Sequence, residues 1–489
     1  MADHTTHPTV DVDAMARELA RAREDAGRLA RELADICAES EAALEDLKRL
    51  TARYQDVQQD SAATQARIAA IRASNSWRLI ETLRRARVRL GLPGNASAAG
   101  ALRVRRRRGR VPRFVRTAPL GVNVAGYLDT ESGMGEAARA SIRSLEAAGV
   151  PIALNNVLSR LRKNDASYAN AFTDTNPHPF NLVHLNADNM GWFSDERGRR
   201  YFRDRYTIGY WFWELAAFRE EWVPFFDYVD EVWAASEFVR ESYVTWSPVP
   251  VVRIPLPVVL PEMSTQGRSH FGLPARGTVF LYVFDVSSQM ERKNPLGAIH
   301  AFRRAAFDAD QATLVLKFTN AEYDRAAVRR LHDEGRDLNV VFLDGYMNRS
   351  ELCALINTAD CYVSPHRSEG FGLTILEAMR LGKPVIATAY SGNTDFMTPE
   401  NSYPLSYRLT TLTQDYGPYM RGAVWADPDL DDAARLLRHV VENPRDARDK
   451  AARAREYVER ERNPNVTGML VRQRLELIRQ STTVPIAEA

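Results

Sequence analysis

From Met15 to Ile71 small or apolar residues recur at alternating steps of four and three: Met15, Leu19, Ala22, Ala26, Leu29, Leu33, Ile36, Ser40, Ala43, Leu47, Leu50, Tyr54, Val57, Ser61, Thr64, Ile68 and Ile71. The mean step of about 3.5 keeps one seam facing a partner helix, which predicts a coiled-coil helix over residues 1–80 and self-association through 15–71. The Ala and Ser in that seam leave open a helix folded back on its own globular body. Gly91–Gly94 and the small residues through Gly100 then read as part of a linker over 81–117.

From Leu120 the pattern changes to short apolar runs separated by helical ones, the mark of parallel α/β units. Strands are predicted in the runs 120–128, 151–157, 180–187, 207–215, 230–236 and 250–258, and a second set in 277–286, 311–318, 339–346, 359–365 and 383–389. The break near residue 262 predicts two Rossmann-like domains, 118–262 and 263–445, facing a cleft. Helices interrupted at Pro464 and a tail fill 446–489. The fold class is therefore α/β.

Composition narrows the setting. Of 489 residues, 45% are hydrophobic and 26% charged, as in a soluble globular protein. The most apolar stretch, Val249–Leu260, is broken by Arg253 and three prolines and cannot span a bilayer. The opening MADHTTHPTV lacks the apolar core of a secretory signal. Cys37, Cys353 and Cys361 lack metal spacing and suit a reducing compartment. A cytoplasmic protein is expected. Its net charge of +2 hides a local excess, because residues 82–128 hold twelve arginines and no acid. Arg103–Arg116 is either a solvated tether or a device for an anionic membrane surface. No aromatic interleaving accompanies it, which argues against a nucleic-acid partner.

Chemistry concentrates in 364–393, SPHRSEGFGLTILEAMRLGKPVIATAYSGN. A strand ends there and Gly370-Phe371-Gly372 opens onto a helix starting at Leu373. Free N–H groups and the positive dipole end at such a helix start suit a phosphate. Glu369 precedes the turn and Glu377 lies about two helical turns on, so both carboxylates can face one site and accept hydrogen bonds from sugar hydroxyls.

These residues, with the following Glu-Ala-Met, Gly-Lys-Pro-Val-Ile-Ala and Ser-Gly-Asn, closely resemble the donor motif of family 4 retaining glycosyltransferases of the GT-B fold. The resemblance implies that Glu377 holds the ribose and Glu369 the sugar hydroxyls, with backbone at Gly370, Phe371, Gly372 and Leu373 near sugar and phosphates. The segment 287–302, SSQMERKNPLGAIHAF, resembles the family stretch whose lysine reaches the donor phosphates, here Lys293. The family arginine five residues earlier is replaced by Ser288. Arg292 either substitutes for it or sits on the helix surface. GYLDTESGMGEAAR (126–139) resembles the family's first loop, placing Gly133 and Gly135 near donor and acceptor. Relatives often carry a histidine at the strand end where this chain has Trp211, Trp213 and Glu214, so Glu214 is the candidate catalytic carboxylate and the tryptophans candidate sugar platforms. His184 and Asp188 are further strand-end candidates.

Asp-x-Asp pairs at 11/13, 308/310 and 427/429 fall in predicted helices or a loop and none follows a strand, so no metal is expected. No cofactor is expected beyond a nucleoside diphosphate sugar as co-substrate. The expected function is transfer of a hexose, with a lean towards mannose, to a glycan. Ser74–Arg78 after the seam resembles bacterial surface-polysaccharide assembly enzymes, which implies a lipid-linked acceptor and peripheral attachment. A nucleotide-sugar epimerase of the same fold and a non-catalytic coiled-coil scaffold are the alternatives.

Overall fold

The computed structural model describes residues 110–158, 167–308 and 310–483. The coiled-coil reading of 1–80, its seam at 15–71, the pair Asp11/Asp13 and Arg103–Arg108 lie outside the described residues.

The first sheet contains β1 (Val122–Gly126), β2 (Ile152–Asn156), β3 (Phe180–His184), β4 (Tyr206–Trp211), β5 (Glu231–Ala234) and β6 (Val251–Arg253), all parallel, in the order β2-β1-β3-β4-β5-β6. Strands β1, β3, β4 and β5 are buried along their whole length. Covered on both faces, they read as continuous apolar runs and not as alternation. The second sheet contains β7 (Thr278–Asp285), β8 (Ala312–Thr319), β9 (Val340–Asp344), β10 (Cys361–Ser364), β11 (Val385–Thr388) and β12 (Tyr403–Leu405), also parallel, in the order β12-β11-β10-β7-β8-β9. Each sheet has a topological switch point, where strand order reverses: between β1 and β3 in the first, between β7 and β10 in the second. Ligands of open α/β sheets sit outside the carboxyl ends of the strands at such points.

The first domain carries α1 (Arg113–Thr117), α2 (Gly133–Ala147), α3 (Met190–Phe202) and α4 (Glu237–Val244). The second carries α5 (Met290–Lys293), α6 (Pro295–Ala305), α7 (Arg325–Gly335), α8 (Arg349–Thr358), α9 (Leu373–Arg380), α10 (Leu430–Glu442) and α11 (Pro444–Glu461). Two starts show local sequence control. Ser132 accepts from Gly135 N at the head of α2, and Asn348 with Glu351 forms a reciprocal capping box on α8.

Three elements depart from the sequence reading. The linker expected over 81–117 ends early, because α1 is helical with Val111 and Val115 buried beneath it. The residues after 446 are no separate body: α11 packs on α9, while α12 (Pro464–Gln480) turns at Asn463 and returns to α2 of the first domain. Asn463 caps it and Pro464 opens it, where the missing N–H costs nothing. Its register on α2 is fixed by Ser144 Oγ and Thr467 Oγ1 at 2.7 Å and by Gly468, where a Cβ would lie 2.4 Å from Ser144 O. Arg474 pairs with the fully buried Glu231 at 2.7 Å, a carboxylate that also accepts from Tyr206 Oη and Trp233 Nε1. The outgoing and returning crossings between domains run side by side, Val258 N donating to Arg462 O at 2.8 Å.

The third departure is an antiparallel hairpin, β13 (Tyr407–Thr411) with β14 (Val424–Pro428), inserted after β12. Its Leu412, Tyr419 and Trp425 are buried in the aromatic cluster of the first domain with Trp213 and Phe218. The hairpin springs from one domain and packs into the other.

Candidate functional site

The second switch point brings together what the sequence proposed there. After β7 the chain forms α5 and stops at Asn294, whose left-handed backbone (φ 53°) is one that Asn tolerates and whose side chain caps α6. This stop fixes Arg292 and Lys293 against the loop after β10. Lys293 Nζ lies 2.5 Å from Glu369 Oε1, and Arg292 Nη1 lies 3.3 Å from Glu369 Oε2. Arg292 is buried and also donates to Ser368 O (2.8 Å) and Ser288 O (3.1 Å). Burial excludes the helix-surface alternative for Arg292, which lies against the backbone of Ser288. Burial opposes ionisation of Glu369, but the Lys293 ammonium and the Arg292 guanidinium outweigh it and hold the carboxyl at about 2. Burial pulls Lys293 down, with Glu369 pulling against it.

The turn Gly370–Gly372 leads into α9 with no side chain at its cap. Gly372 has φ 90°, and a Cβ on Gly370 would lie 3.3 Å from Trp213 O. The turn rests on the next loop: Glu369 N donates to Ser391 Oγ (2.7 Å) and Gly392 N to Glu369 O (2.9 Å). The N–H groups of the first turn of α9 are thus left for an anion, beside the two cations.

Glu377 lies two turns further along, fully buried. Arg349 Nη1 pairs with its Oε1 at 2.6 Å, and among the described residues Oε2 has no hydrogen-bond donor. Burial raises the Glu377 pKa against the pull of Arg349. A buried carboxylate short of donors suits a ligand that brings hydroxyl groups. Sequence reasoning missed Arg349 and its other neighbour, Glu136 of α2, whose Oε1 lies 3.7 Å from Arg349 Nη2. Glu136 is buried, and although burial opposes it, Arg349, Arg143 and Arg139 keep its pKa lowered. Glu377 and Glu136 therefore flank one arginine across the two domains.

The first domain contributes less than the sequence offered. Glu214, beyond β4, does reach the cluster: its Oε2 accepts from Tyr419 Oη at 2.9 Å, and its backbone O accepts from Ser368 Oγ. Tyr419 lies on the hairpin with the Arg292 guanidinium 5.9 Å from its ring centre. Gly133 opens α2 with no atom near its would-be Cβ, whereas a Cβ on Gly135 would lie 2.1 Å from Thr130 O. Gly135 is thus demanded by its own turn. Trp211 and Trp213 are corrections. Both are buried, Trp211 against Phe226 and Trp213 among Trp222, Phe218 and Tyr419, so neither offers a face to a sugar. His184 is fully buried and stacked on Tyr210 at 4.6 Å, and burial pushes its pKa down to about 3. It stays neutral and enclosed. Burial raises the pKa of Asp188, which lies in the turn after β3.

The Asp pairs also differ from expectation. Asp308 and Asp310 lie in the loop after α6, not in a helix. Asp427 and Asp429 do end a strand, but Asp427 pairs with Arg408 at 3.0 Å and Asp429 caps α10. Among the described residues no three His, Cys, Asp or Glu side chains are grouped to hold a metal.

Residues 274–460 match the family model of glycosyl transferases group 1. The D-inositol 3-phosphate glycosyltransferase of Mycobacterium leprae (strain Br4923) is 33% identical over 129 residues, which is 26% of this chain and 28% of that protein. The enzyme of the same name from Arthrobacter sp. (strain FB24) is 28% identical over 139 residues, 28% of this chain and 33% of its own length. The chain thus spans a third or less of the curated relatives it matches. The likeness in fold is wider. Anabaena HepE, solved with UDP and glucose, superposes with a TM-score of 0.53 at 13% identity, covering 73% of this chain and 100% of that one. Sucrose-phosphate synthase from Thermosynechococcus elongatus gives 0.53 at 17% identity, covering 74% and 99%. The chain has the GT-B fold, and its second domain matches the model of glycosyl transferases group 1.

Proposed function

We propose that this chain, a glycosyltransferase by its second domain, moves a hexose from a nucleoside diphosphate sugar to a glycan acceptor with retention of configuration. One observation carries the reading: a lysine and an arginine, held by a glutamate, stand at the switch point beside an uncapped helix start. Without a donor, Glu369 neutralises the two cations. With one, the diphosphate brings its own charge to Lys293, Arg292 and the N–H groups of α9, while Glu369 turns to the sugar hydroxyls. The bond from the anomeric carbon to the diphosphate oxygen breaks, and the departing charge is met by groups already in place. The acceptor hydroxyl forms the new bond on the same face, its proton passing to the leaving diphosphate. Glu377 accepts from the ribose, and Glu214 reaches the sugar from the first domain. A nucleotide-sugar donor is supported by the solved neighbours, HepE having been crystallised with UDP-glucose as well as with UDP and glucose.

The finer reading is a mannosyl or other hexosyl transfer to a lipid-linked glycan in cell-surface polysaccharide assembly. It includes self-association through 15–71 and peripheral attachment to the inner face of the cell membrane through Arg103–Arg116. Among the described residues no helix is long and apolar enough to cross a membrane. A thermal-shift screen of UDP-, GDP- and dTDP-sugars tests the donor: the right one, at a hundredfold over its dissociation constant, stabilises by about 2.7 kcal/mol. Product analysis follows. Transfer that survives excess EDTA supports metal independence, and activity lost to EDTA and restored by manganese or magnesium refutes it. An epimerised nucleotide sugar made from donor alone would replace the transferase reading.

A further inference from the structure

At the opposite end of the first sheet from the cleft, α1 and the end of α3 enclose an open hollow of about 660 Å³. Arg113, Arg200, Arg203 and Arg205 line it with Phe114, and Asp204 is the sole acid in the lining. Arg203–Arg205 lead directly into β4, whose far end delivers Glu214. At about 3.3 Å per residue the strand separates hollow from cleft by roughly 20 Å.

One arginine is structural. Arg205 Nε donates to the backbone O of Asn176 (2.9 Å) and His178 (3.2 Å), and its guanidinium lies 5.8 Å from the centre of the Phe114 ring. The others are different. Arg113, Arg200 and Arg203 are exposed, and among the described residues their guanidinium groups have no hydrogen bond or ion pair. The dipole of α3, which is broken at Gly198 (φ 70°, ψ 169°), is a weak account of Arg200 in the turn beyond the break. It does not account for Arg113, on another element, or for like charges gathered round one hollow with no counter-charge but Asp204. Such a cluster repels itself unless an outside anion meets it.

We propose that this basal face of the first domain docks on an anionic lipid bilayer, the hollow receiving a lipid phosphate headgroup. It deepens the peripheral attachment proposed above by moving it from the tether onto the folded surface, and it is independent of the reading of the cleft. The hollow is open and its free arginines are exposed, which suits a surface better than an enclosed free phosphate. Apolar groups stand beside the charges. The end of α12 is pinned to α1 through Arg479 Nη2 to Ala118 O (2.9 Å) and Val111 N to Thr482 O (3.1 Å), and its Leu477 is 46% exposed. On this proposal the exposed Leu477, on the helix end joined to α1, and the half-buried Phe114 in the lining would insert shallowly, as apolar groups do beside cationic interfacial faces. In the sequence Arg105–Arg108 closely precede Arg110, adding positive charge nearby along the chain.

Flotation of the full chain with phosphatidylcholine vesicles, with and without phosphatidylglycerol, tests it. Binding should require phosphatidylglycerol and fade as salt rises. With Arg103–Arg108 intact, the triple variant Arg113→Gln/Arg200→Gln/Arg203→Gln should partition about tenfold less or worse, since each arginine near an anionic surface is worth about fivefold before screening. Its Tm should be unchanged, because the three guanidinium groups have no partners among the described residues to lose. The corresponding triple lysine variant should retain most of the binding. Equal flotation of the glutamine variant and the wild type, or equal binding to pure phosphatidylcholine, overturns the proposal. So does an arginine-dependent response confined to inorganic phosphate or to a single-stranded oligonucleotide, which would make the hollow a soluble-anion or nucleic-acid site.

Discussion

The two sheets reverse strand order at equivalent places, yet they fill those places with opposite chemistry. Between β7 and β10 stand Lys293, Arg292 and Glu369, paired and close-packed beside an uncapped helix start. Between β1 and β3 stand a glycine turn shaped by its own backbone and a neutral, enclosed His184. One topology thus handles charge in the second domain and shape in the first. Carboxylates from the first domain reach the charged side at two points: Glu214, held by Tyr419 of the hairpin, and Glu136, beside Arg349.

The largest effect should come from the charge that the first domain does bury, well away from the cleft. Arg474→Met removes the counter-ion of Glu231 and should cost about 3–5 kcal/mol in a urea melt, with donor affinity of the folded fraction unchanged. A donor affinity that falls in parallel would break the separation between scaffold and site.

Next is the charged switch point itself. Lys293→Met should lower turnover by about 10²–10³-fold, the range for losing one donor to a developing negative charge. It should also change the response to acid. Glu369 is held at about 2, below the ordinary glutamate range, so the stabilisation from its ion pair is complete above that range and is lost as pH falls towards 2. The Tm gap between wild type and variant should therefore be flat near neutrality and close in acid; a gap that widens in acid contradicts the assignment.

The two glutamates should separate next. Glu377→Ala should weaken binding of the bare nucleoside diphosphate by on the order of tenfold or more in calorimetry, the scale of hydrogen bonds to a charged group. Glu369→Ala should spare that binding and lower turnover with the sugar donor. Wild-type transfer in both variants would remove the site. A smaller change is expected from Tyr419→Phe, which deletes one hydroxyl beside Glu214 and should reduce kcat by about fivefold with donor KM unchanged, less than the full worth of a bond to a carboxylate because the hydroxyl only positions Glu214. Smallest is His184→Gln, for which the pH dependence of turnover between about pH 5 and 8 should not move. A displaced limb would return proton transfer to the first switch point.

The charged switch point was legible because its parts are local: Gly370–Gly372, Glu369 and Glu377 lie within nine residues, and Lys293 follows its own strand. The strands were legible too, since β1–β11 are short apolar runs between breakers. What escaped notice is held by distance. Arg349 and Glu136 are ordinary residues of capped helices until α2 and α8 face one another, and no spacing in the chain reports that. The hairpin mixes polar and aromatic residues over 407–428; Gly417-Pro418 marks a turn, but nothing in that pattern reports burial in the other domain. The misplacement of Trp211 and Trp213 has the same origin. β4 is a central strand with β3 and β5 on either side, and the aromatic cluster beyond it closes over both rings.

The paired crossings have a practical corollary. Because the backbone leaves the first domain at Val258 and re-enters beside it at Arg462, the intervening two hundred residues are an insertion whose ends nearly touch. Insertions with adjacent ends at a surface are the ones that chains tolerate when cut and rejoined. The second domain is therefore an exchangeable module: grafting a group 1 glycosyltransferase domain between these two points should give a folded chimera, and on the function proposed above its donor preference should follow the graft and its acceptor preference the host.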